Sequence, residues 1–180
     1  MATYVLIHGA YQGGWIWKPV ATRLRAAGHT VFAPTLDGCG ERRYSVRRGI
    51  TVGTHAREVA QLLFHEDLTD VVLVGTSSGG MVIVKTAELA RDRIGRLVFV
   101  DALALLPGER VDAIVKRPAP NETTDITTFP TPADRESRVF RDLDPPLRAW
   151  ALARITPHPV AALEAPMEPT LFWEHSGRPR

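Results

Sequence analysis

Four short apolar runs, separated by longer mixed stretches, dominate the first hundred positions of the chain. They are Tyr4–Ile7, Thr30–Pro34, Asp70–Val74 and Arg96–Val100. Each run is rich in β-branched residues and is continuous rather than alternating, which is typical of strands buried on both faces of a parallel sheet. The pattern therefore predicts four buried parallel strands.

Helical patterns fill the segments between these strands. The first predicted helix, Trp17–Ala27, ends before Gly28, a residue suited to the left-handed conformation that closes many helices. The second, Thr54–His65, has Thr54 as its expected N-cap, and the third, Ser78–Arg91, follows the third strand directly. This alternation of strands and helices predicts a doubly wound, mostly parallel α/β sheet.

The chain beyond the fourth strand is richer in proline, threonine and charge. We interpret residues 106–166 as a cap over the carboxyl edge of a core formed by residues 1–105, with a candidate post-cap strand and tail in 167–180. A free linker is the alternative, although Trp150 and Ile155 favour packing. Short cap helices are expected around 108–116 and 146–155.

Composition is that of an ordinary globular protein, with 180 residues of which 44% are hydrophobic and 23% charged. A net charge of +2 is too small to indicate a nucleic-acid partner. No apolar run approaches the roughly 20 residues of a membrane span, and the N-terminus lacks the pattern of a secretion signal. With a single cysteine, Cys39, these features predict a cytoplasmic protein that contacts neither nucleic acid nor membrane.

The stretch VGTSSGG closes the third apolar run and opens the third predicted helix. Residues 75–79 match the pattern G-x-S-x-G, with Ser77 at its centre. A serine at a sharp strand-to-helix turn exposes its hydroxyl, and the flanking glycines let strand and helix approach without a Cβ clash. The context predicts a nucleophile elbow, and the alternative is a plain glycine-rich turn. Glycine-rich phosphate-binding patterns are absent, so we expect no cofactor, and the sequence indicates no metal.

Two longer stretches resemble the α/β-hydrolase group that contains plant methyl-ester esterases, hydroxynitrile lyases and bacterial carboxylesterases. They are YVLIHGAYQGGWIWKPVATRLRAAGHTVFAPTLDGCGER and HEDLTDVVLVGTSSGGMVIVK, and LVFVDALALLPGERV is similar to the next strand and the start of the cap in that group. The resemblance covers residues 3 to about 115. It implies an α/β-hydrolase fold with a cap insertion.

The same resemblance implies roles for individual residues. Ser77 corresponds to the nucleophile, and the backbone N–H groups of Ala10 and Ser78 would form the oxyanion hole. The group usually has histidine before the serine and a large residue after it, where this chain has Thr76 and Ser78. Neither departure removes a backbone donor, but both reshape the pocket floor.

A serine nucleophile needs a histidine and a carboxylate, which follow it along the chain in this fold. The sequence has no residues to supply the last strand and the usual histidine loop. Among six histidines, His175 follows a candidate post-cap strand, Pro169–Glu174, and is the expected base; a surface tail residue is the alternative. Asp101, after the fourth strand, is the best-placed acid, ahead of Glu174, and a capping role is its alternative.

Aromatic side chains flank the expected oxyanion loop. Tyr11 and Trp15 are candidate substrate contacts, with core packing as the alternative, and His8 is a third candidate, for which a structural role is the alternative. A basic cluster after the second strand either meets an anionic partner or forms a solvated loop. It comprises Arg42, Arg43, Arg47 and Arg48.

We therefore expect a serine-dependent hydrolase that cleaves a carboxylic ester of a small molecule, with an aromatic group as one candidate, through an acyl-enzyme. The alternatives are a non-hydrolytic lyase or cyclase of a biosynthetic pathway, and a degenerate binding homologue. A sheet without its last strands would expose the run Pro169–Trp173 at an edge. This predicts a homodimer or exchange of the C-terminal segment.

Overall fold

A four-stranded parallel sheet in the order β2-β1-β3-β4 carries the first hundred residues of the chain. Its strands are β1 (Thr3–Ile7), β2 (Thr30–Phe32), β3 (Val71–Ser77) and β4 (Ile94–Ala102). This computed structural model describes residues 1–116, 119–168 and 172. The parallel α/β sheet predicted from the apolar runs is confirmed, and its strands end at one common edge.

Three helices connect the strands of this sheet, namely α1 (Lys18–Ala26), α2 (Val52–His65) and α3 (Gly79–Leu89). After α1, Gly28 adopts a left-handed φ of 84°, as expected. The prediction of Thr54 as the N-cap of α2 was wrong, because Thr51 takes that place. The Thr51 N–H donates to Thr54 Oγ1 at 2.7 Å, and the Thr54 N–H donates to Thr51 Oγ1 at 3.3 Å. Each threonine thus satisfies an amide that a helix start leaves unpaired.

Helices cover both faces of the sheet, and β1 shows how the core is divided. Val5 and Ile7 point to the larger apolar cluster, which includes α2 and α3 residues, whereas Leu6 packs in a second cluster with Trp17 and Ala21 on the α1 side. Complete burial of such an aliphatic side chain contributes about 1.5–3 kcal/mol. The continuous apolar character of β1 therefore reflects burial on both faces, as predicted.

Strand β4 departs from that prediction. Within the described residues it pairs only with β3, so it forms the sheet edge. Val98, Phe99 and Val100 are exposed by 38%, 38% and 44%. An apolar run indicates that a strand is suited to burial. Whether the strand is buried depends on a neighbouring strand or helix that packs against it.

The region after β4 folds into short helices and a small antiparallel sheet. The helices are α4 (Val111–Ile114), α5 (Pro132–Ser137) and α6 (Pro145–Leu152), and the sheet has the order β5-β6-β7 with strands Glu122–Thr123, Thr127–Phe129 and His158–Pro159. Helices near α4 and α6 were expected, whereas α5 and the sheet were not. Strands of two or three residues are too short to leave a periodic signal.

The last part of the chain carries several of the sequence-based predictions. The candidate post-cap strand Pro169–Glu174 lies outside the described residues except for Phe172, whose side chain packs against the larger core cluster. His175 and Glu174 also lie outside them. Among the helices of the described ranges, none is long and apolar enough to cross a membrane.

Candidate active site

Ser77 ends β3 in a strained backbone conformation, directly before the start of α3. Its φ of 50° lies in the left-handed region, which costs a non-glycine residue on the order of 1–2 kcal/mol. The turn leaves Ser77 exposed, whereas Ser78 and Gly79 behind it are buried. An exposed, strained serine between a buried strand and a helix has the geometry of a nucleophile elbow.

Two glycines make room for this turn. A Cβ on Gly75 would lie 2.7 Å from the Gly79 carbonyl oxygen, and a Cβ on Gly79 would lie 2.7 Å from the carbonyl oxygens of Ile7 and His8. These distances are shorter than any real Cβ contact, so β3, α3 and the end of β1 can meet only because both positions lack a side chain. The two glycines of the motif therefore have the packing role that the sequence suggested.

The loop after β1 passes directly beside Ser77. A Cβ on Gly9 would lie 2.7 Å from Ser77 Cβ and 3.3 Å from Ser77 Oγ. The next amide along this loop is that of Ala10, and Ser78 is the N-cap of α3. Within the described residues, neither the Ala10 N–H nor the Ser78 N–H donates to a protein acceptor. Two uncommitted amides, one in the residue after Ser77 and one in the residue after Gly9, are the kind of donor that can stabilise an oxyanion.

His8 holds this loop from inside the protein. Its buried ring donates from Nδ1 to the Gly9 carbonyl oxygen at 2.8 Å and accepts at Nε2 from the Leu36 N–H at 3.0 Å. Burial lowers the pKa of His8 to about 4, so the ring is neutral near pH 7. With both ring nitrogens occupied, the structure favours the structural role of His8 over a substrate contact.

Two further polar side chains hold the same loop and were missed in the sequence. Gln12 Oε1 accepts from the Gly9 N–H at 3.0 Å, and Thr35 Oγ1 accepts from the Gly14 N–H at 2.7 Å. The bond of Gln12 to Gly9 could have been predicted from the sequence, because a polar side chain three positions after a glycine turn can accept from the backbone of that turn. Thr35 gave no local signal, because its partner lies 21 positions away.

Tyr11 and Trp15 join the loop to the cap. The Tyr11 hydroxyl accepts from Asn121 Nδ2 at 2.8 Å, and its ring lies edge-on to Phe129 at 5.9 Å between centroids. Trp15 lies edge-on to Trp150 at 5.3 Å. Both aromatic residues therefore pack against the cap, and their role as substrate contacts stays a prediction.

Asp101 lies at the same sheet edge as Ser77. The β3–β4 register shifts between Thr76 and Ser77, which leaves Asp101 as the extra residue of a bulge, exposed and with a φ of 44°. The following Leu103 N–H donates to the Ser77 carbonyl oxygen at 2.9 Å. In the described ranges Asp101 forms no hydrogen bond with Ser77 or with a histidine, so its role as the acid stays a prediction.

No histidine of the described ranges hydrogen-bonds to the Ser77 hydroxyl, and the expected base, His175, lies outside them. His158, which sequence analysis did not single out, is instead buried with Cys39 and His55. Its Nδ1 lies 3.4 Å from Cys39 Sγ, and its ring lies edge-on to His55 at 6.1 Å. Burial lowers the pKa of both histidines and raises the pKa of the Cys39 thiol, so this group consists of neutral side chains that join cap and core.

The basic cluster is largely paired with acidic side chains. Arg42 forms ion pairs with Glu58 and Asp37, and Arg47 lies 2.7 Å from the Asp37 carboxylate. Arg48 lies 2.7 Å from Asp125 of the cap. The structure therefore favours the solvated, ion-paired loop over an anion-binding surface.

A cavity of about 340 Å³ lies in the cap, away from the elbow. Its walls come from α4 and the segments around Asn121 and Leu163, and Ser77 does not line it. Asn121 connects the cavity wall to Tyr11 through the hydrogen bond described above. Within the described residues, no group of three or more histidine, cysteine or acidic side chains could hold a metal ion.

Comparisons with family profiles and with individual relatives place the chain in the same family. The profile of the Alpha/beta hydrolase family matches residues 4–179. A carbendazim hydrolyzing esterase from Nocardioides sp. (strain SG-4G) is 35% identical over 177 residues, which covers 93% of this chain and 73% of the relative. An alpha-hydroxynitrile lyase from Arabidopsis thaliana is 34% identical over 100 residues, but the match covers only 55% of this chain and 39% of the relative.

Solved structures agree with these relatives. An extracellular alpha/beta-hydrolase from a Paenibacillus species superposes with a TM-score of 0.78 at 27% identity, covering 97% of this chain and 74% of that one. A methylesterase from Arabidopsis superposes with a TM-score of 0.76 at 22% identity, covering 99% and 76%, and supports the fold alone. The relatives support an enzyme of the carboxylesterase type, and the chain belongs to the alpha/beta hydrolase family.

Proposed function

We propose that this protein hydrolyses carboxylic esters of small molecules, with Ser77 as nucleophile and an acyl-enzyme as intermediate. The esterase relatives support ester hydrolysis in general. One observation supports the serine mechanism: Ser77 is exposed, is held at a φ of 50° and lies directly beside the Gly9 backbone, next to which Ala10 carries an uncommitted amide. A cytoplasmic location and a biosynthetic role belong to the same proposal.

Each proposed step uses a feature of this arrangement. Ser77 Oγ attacks the ester carbonyl carbon and gives its proton to a general base. The carbonyl oxygen becomes an oxyanion, which accepts hydrogen bonds from the Ala10 and Ser78 N–H groups. Collapse of this intermediate breaks the bond to the alcohol, which leaves with a proton, and water then attacks the acyl-enzyme to release the acid and free Ser77.

The base and the acid complete the proposal. We assign the base to His175 and the orienting carboxylate to Asp101, the bulge residue next to the last position of β4, where β4 pairs with the Ser77 end of β3. For the substrate, Tyr11 and Trp15 beside the oxyanion loop favour an ester with a planar or aromatic group. The hydroxyl of Tyr11 is already bonded to Asn121, so the ring rather than the hydroxyl would contact such a group.

A second reaction class uses the same pocket without hydrolysis. The hydroxynitrile lyase relative supports it. In a lyase or cyclase, the two amides would polarise a substrate carbonyl and no acyl-enzyme would form. A binding homologue without catalysis would also leave Ser77 unactivated.

Fluorophosphonate labelling separates these possibilities, because it requires an activated serine. We expect the parent protein to be labelled at Ser77 and to hydrolyse p-nitrophenyl acetate, and Ser77→Ala to lose both, with turnover falling by about three orders of magnitude. Ser137→Ala, which changes an exposed serine in α5, is the matched control and should retain both. Unchanged turnover in Ser77→Ala would remove Ser77 from the mechanism, and an unlabelled parent would favour the lyase or binding function.

A further inference from the structure

Tyr11, directly after the expected oxyanion residue Ala10, has a conformation that its own sequence does not favour. Its φ of 66° lies in the left-handed region, where a bulky aromatic residue is an outlier. A strained residue of this kind persists only where its surroundings hold it. The contacts that hold Tyr11 therefore control the backbone next to the Ser77 site.

Most of these contacts come from the cap. The Tyr11 hydroxyl accepts from Asn121 Nδ2 at 2.8 Å, and the Tyr11 carbonyl oxygen accepts from the Thr156 N–H at 2.9 Å. The ring lies edge-on to Phe129 at 5.9 Å and to His158 at 6.1 Å. The cap thus contacts the hydroxyl, the ring and the backbone of one residue of the core loop.

The core holds the other end of the same short segment. His8 is bonded to Gly9 and Leu36, and Gln12 accepts from the Gly9 N–H. The core anchor holds the carbonyl oxygen of the Gly9–Ala10 peptide, which accepts from His8 Nδ1, and the cap anchor holds Tyr11 on the other side of the Ala10 N–H. Gly9 has no side chain to restrict its backbone, because Ser77 occupies that space. The orientation of this peptide therefore depends on both anchors.

We infer that the Asn121–Tyr11 hydrogen bond is a positioning contact through which the cap sets the direction of the Ala10 N–H toward the oxyanion. This inference rests on the proposed function, in which that amide stabilises the tetrahedral intermediate. Asn121 and Tyr11 act here through Ala10 and need not touch the reacting atoms. Release of this anchor lets Tyr11 relax from its left-handed conformation and lets the Ala10 N–H tilt, while the carbonyl oxygen of the same peptide stays bonded to His8.

Hydrogen exchange tests the positioning directly and needs no turnover. In Asn121→Ala and in Tyr11→Phe, we expect the Gly9 amide, which donates to Gln12 Oε1, to exchange roughly tenfold faster than in the parent, because a local anchor of its loop is lost while the global fold remains. The matched control is Asp125→Asn, which removes the exposed ion pair between the cap and Arg48 without touching Tyr11. Unchanged exchange in both variants, or equal acceleration in Asp125→Asn, would overturn the inference.

Steady-state kinetics of the same variants test the effect on turnover. We expect kcat for p-nitrophenyl acetate to fall roughly tenfold in either variant with little change in KM, because the oxyanion donor is displaced rather than deleted. The double variant should lose no more than either single variant, since both changes break one hydrogen bond. Asn121→Gln, which keeps an amide donor, should recover part of kcat, and Asp125→Asn should retain all of it.

The two proposals fail in different ways. If Ser77→Ala loses turnover while Asn121→Ala and Tyr11→Phe keep the parent kcat, the positioning role is wrong and the serine mechanism stands. If Ser77→Ala keeps turnover, the proposed function is wrong. Faster exchange of the Gly9 amide would then still show that the cap holds this loop, but its link to an oxyanion would be lost.

Discussion

Gly9 and Ser77 meet across the gap between the ends of β1 and β3, with room for no side chain on Gly9. An added Cβ would stand 2.7 Å from Ser77 Cβ and 3.3 Å from Ser77 Oγ. The loop after β1 therefore approaches Ser77 through its backbone, and a side chain on Gly9 would separate the proposed nucleophile from the proposed amide donor of Ala10.

Gly9→Ala should disturb the site more than the fold. Alanine can adopt the Gly9 backbone, which is not left-handed, so the clash with Ser77 is the main effect. We expect a loss of about 1–3 kcal/mol in the free energy of unfolding and a strong fall in fluorophosphonate labelling. Gly28→Ala is the control, because it introduces strain at a φ of 84° with no atom within 4 Å and should leave labelling intact. Parent-like labelling of Gly9→Ala would contradict the close approach.

His175→Ala tests the proposed base. If His175 takes the Ser77 proton, its removal should reduce turnover as much as Ser77→Ala does, and the double variant should lose no more, since both residues act in one step. His65→Ala, at the exposed end of α2, is the control and should retain turnover. Full activity of a chain ending at Glu174 would show that the base lies elsewhere.

Acid should destabilise the protein through its buried histidines. Burial lowers the pKa of His8 from 6.5 to about 4 and also lowers the pKa of His55 and His158. These histidines therefore become protonated near pH 6.5 in the unfolded chain but stay neutral at that pH in the folded chain. Stability is complete above that pH and falls as pH drops toward 4, by roughly 3 kcal/mol for His8 alone. The carboxylates of Glu41 and Glu58 lessen the loss for His8 and His55, respectively.

Denaturant unfolding at several pH values between about 7.5 and 4.5 measures this effect. His158→Leu removes one of the three buried titrating rings, so the free energy of unfolding should depend less steeply on pH in this variant. His65→Leu, an exposed substitution, should leave the slope unchanged. A free energy of unfolding that stays constant over this range in the parent protein would refute the expectation.

Self-association is expected at the open edge of the sheet. In the described ranges, β4 pairs on one side only and exposes Val98, Phe99 and Val100, and unpaired edges of this kind recruit further strands. We propose a homodimer or, alternatively, exchange of the C-terminal segment between two chains. The edge predicted from the sequence at Pro169–Trp173 lies outside the described residues apart from Phe172.

Sedimentation at micromolar concentration should show a species near twice the 19.8 kDa chain mass. Phe99→Lys places a charge on the exposed edge strand and should shift the protein to monomer. Val20→Lys, on the exposed surface of α1, should leave the dimer intact. A parent protein that stays monomeric and melts cooperatively would show that this edge is covered in another way.

The sequence by itself determined the parallel sheet, its helices and the geometry of the elbow. These features depend on near neighbours along the chain. The β-branched runs of β1 and β3 and the close contact between Gly75 and the Gly79 carbonyl oxygen each act within a few positions, whereas the contact of Gly79 with Ile7 and His8 depends on the packed sheet. Apolar periodicity and glycine sterics are local rules, so they can be applied without knowing the fold.

Only the tertiary structure decided which loops meet and which surfaces stay open. Asn121 bonds to Tyr11 across 110 positions, and Cys39 meets His158 across 119. No local pattern encodes such pairs, because the fold brings them together after the elements have packed. The same limit applies to β4, whose apolar residues resemble those of β1. The burial of β4 depends on whether another strand packs beside it. The apolar residues of β4 carry no information about that neighbour.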